Sequence, residues 1–367
     1  MKIMYLLPAL SSGGVEQVVL ELCEGLVPRG VECIVVSAGG AMVAQIEKTG
    51  ARHITRPIGK KSLTTLWQVH KMARLLKQEK PDILHMHSRV PAWVGSLACK
   101  LLRAEDRPVQ MTTFHGFYSV NAYSAIMTKA ERIIAVSHCI HDHILQAYPG
   151  VPPERICTIP NTIDLAEHNK EFRPSDEWLA TWKSEHPELA NKYVLCMPGR
   201  IVRGKGVHHL PAILSRLKAQ GIPAHLLLAG ETKKGKENFR NELVKAFHDA
   251  GLSSDVSWLG LRRDVKELIY VSDVVLSPSI QPEAGPKGTL EALALGCPVA
   301  GYDHGGVGEQ LDIFLPQGRI PVGDTDAMAD RLAEWYHTPP TLARPVGKPY
   351  RREDMIEAHL SLYKEVT

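Results

Sequence analysis

Two glutamates, Glu283 and Glu291, lie eight residues apart and are the first candidates for a functional site. The stretch between them is rich in glycine and proline and predicts a loop that opens a helix over 288–295. The first N–H groups of a helix have no intrahelical acceptor and lie at the positive end of its dipole, where an anion can bind. Carboxylates beside that anion could accept hydrogen bonds from sugar hydroxyls. The pattern predicts a sugar-phosphate site; the simpler alternative is a capped helix with two solvated glutamates.

A glycine-rich turn with basic residues is the second such segment. It spans 198–206, Pro-Gly-Arg-Ile-Val-Arg-Gly-Lys-Gly, between a short apolar run and a helical pattern. Its glycines and Lys205 match the start of a phosphate-binding loop, but Gly206 stands where Ser or Thr must hold magnesium. The turn therefore disfavours a magnesium-dependent nucleoside triphosphatase. It leaves Arg200 and Lys205 as flexible cations suited to a diphosphate, or else as part of a generic basic loop.

Short apolar runs that alternate with amphipathic segments must position these residues. Continuous apolar strands separated by helices are typical of parallel sheets covered on both faces. The pattern occurs twice and predicts an α/β fold of two Rossmann-like halves, joined within 162–190. The predicted strands are 3–7, 31–37, 82–86, 110–114 and 132–136, then 193–197, 225–229, 256–259, 274–276 and 298–301. The clearest predicted helices are 15–28, 63–78, 208–220, 288–295 and 353–364.

Length and composition exclude several classes of protein. With 367 residues, 44% of them hydrophobic and 23% charged, the chain is long enough for two domains and unlike a disordered or collagen-like sequence. A net charge of +3 is too small to indicate a nucleic-acid-binding protein. Residues 1–166 hold 18 basic and 13 acidic residues, a net charge of +5. This excess could attract an anionic surface or substrate, or be only a solvated face.

Cysteine usage and the apolar runs bear on the compartment. The seven cysteines form no Cys-x-x-Cys pair and mostly lie in apolar runs, as expected of small core residues in a reducing compartment. The apolar start at 1–10 is short and holds a proline, unlike a signal peptide. No apolar run reaches 18 residues, so the sequence predicts no transmembrane helix. We expect a cytoplasmic protein, with peripheral contact at the inner face of a membrane as a further hypothesis.

Four motifs in order give the sequence a family resemblance. They are Ser12-Gly13-Gly14-Val15-Glu16, Ile-Pro-Asn-Thr-Ile-Asp at 159–164, the Gly-Arg…Lys-Gly turn at 199–206, and Glu-x7-Glu followed by Gly-x-Pro-Val at 283–299. Over about residues 2–335 the chain resembles retaining glycosyltransferases of family 4, which have the GT-B fold. The resemblance implies two doubly wound domains facing across a cleft. An acceptor-side domain would span 1–165 and a nucleotide-sugar domain 166–345, with a connection and helix at 346–367 packing back on the first.

The resemblance also implies a role for each matching residue in the C-terminal domain. Arg200 and Lys205 would bind the donor diphosphate and take up charge on the leaving group. Glu291 would bind the nucleotide ribose, and Glu283 would hold hydroxyls of the donor sugar. The backbone amides that would cap the phosphate belong to Lys287, Gly288, Thr289 and Leu290.

In the N-terminal domain the resemblance implies that His115 lies near the transferred sugar. Gly13 and Gly14, which lack side chains, would let the first loop approach the donor closely. Separately, His85 and His87 lie at a predicted strand end, where alternate side chains share a face, and are candidates for binding the acceptor. Neither a metal nor another cofactor is expected.

Some positions depart from the family pattern. Lys287 and Thr289 stand where relatives carry apolar residues, Ala-Gly-Pro at 284–286 replaces Gly-Phe-Gly, and Thr162 replaces a glycine. The detailed sugar contacts are therefore left open, and Lys287 could add a phosphate contact.

Three further segments have both a functional and a purely structural interpretation. Asp-Thr-Asp at 324–326 matches a metal-binding pattern but is interpreted as a helix cap, and the histidine-rich segment 138–143 is interpreted as a polar surface turn. The helix around 63–80 places Lys71 and Arg74 beside apolar residues such as Leu66. It is either an ordinary covering helix or a surface for an anionic membrane.

The expected reaction is transfer of a sugar from a nucleoside-diphosphate sugar to a glycan or lipid-linked acceptor with retention of configuration. Synthesis of lipopolysaccharide or another cell-surface polysaccharide is the hypothesis for its role. The alternatives are a sugar-nucleotide epimerase with the same fold and a non-catalytic sugar-nucleotide-binding protein.

Overall fold

A computed structural model describes residues 1–11, 13–232, 235 and 237–367, without the side chains of residues 63, 64 and 66. Ser12 of the first predicted motif and the side chain of Leu66 therefore lie outside the described residues. The chain divides into two compact units: Met1–Thr162 with Lys348–Thr367, and Ile163–Gly347. The predicted divisions at 165/166 and 345/346 lie close to these limits.

The first unit is built on a parallel sheet of seven strands. The strands are β1 (Lys2–Leu6), β2 (Glu32–Ser37), β3 (Arg52–Thr55), β4 (Ile83–Met86), β5 (Val109–Phe114), β6 (Arg132–Ala135) and β7 (Ile156–Thr158). Their order is β3-β2-β1-β4-β5-β6-β7, so the winding direction reverses between β1 and β4. The apolar side chains of the central strands are buried, as continuous apolar runs predict. Ligands of such sheets bind outside the carboxyl ends of the strands, near the reversal.

Helices cover this sheet. They are α1 (Gly14–Leu26), α2 (Val43–Lys48), α3 (Leu63–Glu79), α4 (Arg89–Lys100) and α5 (His138–Ala147). Helix α5 corrects the interpretation of 138–143 as a polar surface turn: Ile140 and Ile144 recur at helical spacing and are buried.

The second unit has a parallel sheet of six strands. The strands are β8 (Tyr193–Pro198), β9 (Ala224–Ala229), β10 (Val256–Trp258), β11 (Val274–Ser277), β12 (Val299–Tyr302) and β13 (Arg319–Ile320). Their order is β10-β9-β8-β11-β12-β13, which reverses between β8 and β11. The carboxyl ends of β8 and β11 therefore lie side by side at the reversal. The predicted fold class, two doubly wound parallel sheets, is confirmed.

The remaining helices complete the second unit and return the chain to the first. They are α6 (Asp176–Glu185), α7 (Leu210–Ala219), α8 (Glu237–Asp249), α9 (Val265–Tyr270), α10 (Lys287–Ala294), α11 (Gly305–Phe314), α12 (Thr325–His337) and α13 (Arg352–Val366). Helix α13 packs on α1, where a Cβ at Gly25 would come within 2.4 Å of Ile356. The terminal helix is thus part of the core of the first unit.

Candidate functional site

The turn after β8 is the glycine-rich segment that carries Arg200 and Lys205. A short 3-10 helix at Arg203–Lys205 ends at Gly206, whose φ of 70° lies in the left-handed region. A Cβ at this position would lie 1.7 Å from the carbonyl oxygen of Pro278. Serine or threonine therefore does not fit here, which is the structural reason that the turn departs from the magnesium-binding pattern.

Helix α10 begins beside this turn, and a cavity of about 280 Å³ lies between them. The N-cap of α10 is Pro286, which has no side chain able to cap the first N–H groups. The cavity therefore combines a helix N-terminus with charged side chains. Six of the residues predicted to bind the donor line it: Lys205, Glu283, Lys287, Gly288, Thr289 and Glu291.

An ion pair occupies the centre of this site. The Lys205 Nζ donates to Oε2 of Glu283 at 2.5 Å, and the hydroxyl of Ser279 donates to Oε1 of the same carboxylate. Both charged side chains keep about a quarter of their surface exposed, 24% for Lys205 and 22% for Glu283. Both carboxylate oxygens are therefore engaged, while the ammonium group remains accessible to an anion in the cavity.

The loop that carries Glu283 rests on a glycine pair that the sequence analysis missed. The amide of Gly306 donates to the carbonyl of Glu283 at 2.6 Å, and a Cβ at Gly305 would lie 2.7 Å from that carbonyl oxygen. His304 donates from Nε2 to the carbonyl of Ser279 at 2.6 Å. The residues that fix the loop thus follow β12. The available signal was a Gly-Gly pair that begins four residues beyond the predicted strand 298–301.

The other predicted donor residues lie in different surroundings. Arg200 is exposed, and its side chain has no hydrogen bond or ion pair within the described part of the chain. The side chain of Leu290 is fully buried, so only its backbone can face an anion. In the first unit, Gly14 opens α1, and a Cβ there would meet no atom of the described residues within 4 Å. A Cβ at Gly13 would lie 2.7 Å from the flexible carboxylate of Glu16.

His85 and His87 are core residues, which corrects the prediction that they contact an acceptor directly. His85 is 0% exposed, with Nδ1 bonded to the Tyr363 hydroxyl and Nε2 to the Thr113 hydroxyl, each at 2.7 Å. His87 is 1% exposed, and its Nδ1 lies 2.9 Å from Nε2 of His115. Burial lowers the pKa of both His85 and His87 well below the usual value, so both rings are neutral.

Both aspartates of the Asp-Thr-Asp segment, which matches a metal-binding pattern, have partners within the protein. Asp324 accepts a hydrogen bond from the amide of Ala327 at 2.9 Å and caps α12, as interpreted from the sequence. Asp326 pairs with Arg216 at 3.3 Å. Among the residues that the structure describes, no group of three or more His, Cys, Asp or Glu side chains is arranged to hold a metal ion.

Helix α3 carries an exposed aromatic residue next to basic side chains. Trp67 is 76% exposed, and with His70, Lys71 and Arg74 it lines a cavity of about 530 Å³. This set is the α3 patch. Within the described residues, none of the helices combines the length and apolar character that crossing a bilayer requires.

Comparison with known proteins supports the fold and identifies the family. Residues 12–167 match the family model described as Glycosyltransferase Family 4, and residues 180–352 match that of Glycosyl transferases group 1. A crystal structure of a glycosyltransferase from Rickettsia africae is 25% identical and superimposes with a TM-score of 0.86, covering 100% of this chain and 98% of that one.

Two curated relatives show how varied such proteins are. Alpha-maltose-1-phosphate synthase of Mycolicibacterium smegmatis is 26% identical over 79% of this chain and 80% of its own length. UDP-Gal:alpha-D-GlcNAc-diphosphoundecaprenol alpha-1,3-galactosyltransferase of Escherichia coli is 27% identical over 77% of this chain and 72% of its own length. The two family models and the similarity to the crystal structure show that the chain is a glycosyltransferase that belongs to family 4 and has the GT-B fold.

Proposed function

We propose that this glycosyltransferase takes its sugar from a nucleoside-diphosphate donor and transfers it with retention of anomeric configuration. The observation that carries the proposal is the Lys205–Glu283 pair in a cavity at the N-terminus of α10. A diphosphate in that cavity would be bound by the ammonium group, by the exposed Arg200 and by the first amides of the helix. These groups would stabilise the charge that develops on the leaving diphosphate. Because they supply this stabilisation, we propose that the reaction requires no metal.

Glu283 is proposed to orient the donor sugar and not to attack it. Both of its carboxylate oxygens accept hydrogen bonds, from Lys205 and Ser279. When the ammonium group turns to the diphosphate, Oε2 becomes available to a sugar hydroxyl, while Ser279 still holds Oε1. Glu291, half-buried on the first turns of α10, is proposed to bind the ribose. His115 is proposed to act at the transferred sugar, as the family resemblance implies.

Stereochemistry and metal dependence test this proposal together. Purified protein is incubated with UDP-, ADP- and GDP-sugars and candidate acceptors in excess EDTA. The anomeric coupling constant of the product is then read by proton NMR. Transfer in EDTA with the donor's anomeric configuration supports the proposal, and inversion or a strict metal requirement contradicts it. A changed sugar nucleotide without acceptor consumption would indicate the epimerase, and donor binding without turnover would indicate the non-catalytic alternative.

We propose a lipid-linked acceptor for a cell-surface glycan, reached from the cytoplasmic face of the inner membrane. The α3 patch supports this, because an exposed tryptophan among basic residues suits the headgroup region of an anionic membrane. The relative from Escherichia coli is named for a diphosphoundecaprenol acceptor, which is an anionic lipid. A basic first unit would favour the same surface.

Vesicle binding tests the membrane proposal. Each basic residue near an anionic surface contributes roughly 1 kcal/mol, so replacing Lys71 and Arg74 with alanine should weaken binding to phosphatidylglycerol vesicles by about 30-fold. Alanine at Arg240 and Lys245 on α8 removes two basic residues elsewhere and serves as the control. Equal vesicle binding by the two double variants, or no preference for anionic over neutral vesicles, would contradict the proposal.

A further inference from the structure

Four histidines of the first unit form a cluster below the end of the sheet. The cluster comprises His85, His87, His115 and His359. The ring centres of His85 and His87 are 4.1 Å apart, those of His87 and His115 are 5.2 Å apart, and His359 lies 6.1 Å from His85. Strands β4 and β5 are neighbours in the sheet, so their carboxyl ends bring His87 and His115 together. The proposed chemistry uses only His115.

The hydrogen bond between His87 and His115 has a direction that follows from burial. His87 is neutral, because burial and the neighbouring histidines lower its pKa, and it therefore carries a single ring proton. Its Nε2 is buried and has no hydrogen-bond partner among the described residues. Burying an N–H group without an acceptor is rarer and more costly than burying an acceptor. The proton therefore belongs on Nδ1, which donates to Nε2 of His115 at 2.9 Å.

The ring of His87 is held in place by its neighbours in the core. His85 packs against it and is fixed at both nitrogens, by the Tyr363 and Thr113 hydroxyls. Tyr363 belongs to α13, so the terminal helix contributes to this support. Because His85 packs against it, the ring of His87 cannot turn without disturbing the core.

We propose that His87 is a positioning residue: through this bond it fixes the ring orientation and the tautomer of His115, which keeps its own proton on Nδ1. The role of His115 at the transferred sugar rests on the proposed function, whereas the bond between the two rings does not. His87 therefore acts on the reaction without touching substrate. Its removal should affect turnover through His115 alone.

Three variants separate this role from a merely structural one. Phenylalanine at His87 keeps the ring and removes the donor, whereas asparagine keeps an N–H at the δ position. His359→Phe is the matched control, because His359 is equally buried and bonds through Nδ1 to a backbone carbonyl. Like that of His87, its Nε2 has no hydrogen-bond partner among the residues that the structure describes. The expected result is a fall in kcat of about tenfold for His87→Phe, the scale of one hydrogen bond. His87→Asn should recover most of it, and His359→Phe should change kcat by less than about twofold.

Coupling to His115 is measured by a double-variant cycle. In a His115→Ala background, His87→Phe should cost no further activity, because the residue that it positions is gone. Equal losses in both backgrounds, or equal losses for His87→Phe and His359→Phe, would overturn the proposal. Thermal unfolding of each variant identifies those that fail to fold, and the asparagine variant carries the test if phenylalanine is not tolerated.

A spectroscopic readout separates this inference from the proposed function. In protein labelled with ¹⁵N-histidine and assigned with the His115→Ala variant, Nδ1 of His115 should be protonated and Nε2 unprotonated. His87→Phe should produce a mixture of both tautomers, and His87→Asn should preserve the original one. A proton on Nε2 of His115 in the unaltered protein would overturn the inference. Absence of sugar transfer with the expected tautomer would instead overturn the proposed function.

Discussion

Replacing Lys205 with methionine should separate catalysis from stability. The ammonium group bonds Glu283 at 2.5 Å, and both side chains are about a quarter exposed, 24% and 22%. A partly exposed pair of this kind contributes roughly 0–1 kcal/mol to the free energy of unfolding, so the variant should fold and unfold almost like the original protein. A charge-assisted hydrogen bond to a diphosphate contributes about 1.5–3 kcal/mol, which corresponds to about 10- to 150-fold weaker nucleotide binding. Loss of leaving-group stabilisation should reduce kcat by at least ~10².

The same turn offers a matched control for this prediction. Arg203 lies two residues earlier in the 3-10 helix and pairs with Glu242, and both side chains of that pair are more than half exposed. Arg203→Met therefore removes the same charge without entering the cavity, and it should leave kcat and nucleotide affinity within about threefold. Titration calorimetry, initial rates and thermal unfolding of both variants provide the comparison. If Lys205→Met behaves like Arg203→Met, the assignment of the ammonium group to the diphosphate is refuted.

Three further predictions follow from particular side chains. Ser279→Ala removes one of the two donors to Glu283, so calorimetry should show unchanged affinity for the nucleoside diphosphate but about 3- to 10-fold weaker affinity for the sugar nucleotide. Gly206→Ser places a Cβ 1.7 Å from a backbone carbonyl oxygen at positive φ, and urea unfolding should show a loss of at least ~2 kcal/mol. Burial lowers the pKa of His359 to about 4. Because the unfolded chain binds this proton near pH 6.5 and the folded one does not, stability should fall as the pH drops from about 6.5 to 4, by about 1.4 kcal/mol per pH unit for this residue.

Each of these predictions has a contradicting result. Equal weakening of nucleotide and sugar-nucleotide binding would place Ser279 outside the sugar site. Gly221→Ser, at a φ of 75° with open space around it, isolates the backbone cost, and an equal loss there would exclude the contact at 206 as the cause. His359→Leu should reduce the dependence of the free energy of unfolding on pH between about pH 6.5 and 4. An unchanged slope for His359→Leu would show that this residue is protonated in the folded protein.

The central strands were predictable from the sequence because they are continuous apolar runs buried on both faces. The strands that the pattern missed, β3, β7 and β13, all lie at sheet edges. Each is short and partly exposed, and β3 (Arg-His-Ile-Thr) has no fully buried side chain. Edge strands need no continuous apolar run, so periodicity alone does not indicate them.

In the candidate site, too, some residues could be predicted from the sequence and others could not. Lys205, Glu283 and the start of α10 could be predicted because charged residues, glycines and a helix start occur in a recognisable local spacing, and the structure brings them to one cavity. The roles in binding and turnover assigned to these residues stay predictions. Ser279 has no such spacing signal, since a single serine gains its role only by facing a carboxylate across a loop.

His85 shows a further limit of local patterns. Alternation along the strand correctly placed its side chain on the same face as that of His87, and the two rings are in contact. It could not indicate that α13 covers this face, because Tyr363 comes from 278 positions later in the chain. Whether a strand-end histidine binds a substrate or supports a neighbour depends on that distant helix.

Thermal unfolding with UDP, ADP and GDP in EDTA tests the donor site most directly. A ligand at a hundredfold excess over its dissociation constant stabilises the folded state by about 2.7 kcal/mol. The proposed site predicts that one of these nucleotides raises the unfolding temperature of the unaltered protein and of Arg203→Met, but raises that of Lys205→Met much less. Stabilisation by none of them, or equal stabilisation of all three proteins, would contradict a diphosphate site formed by Lys205 and the N-terminus of α10.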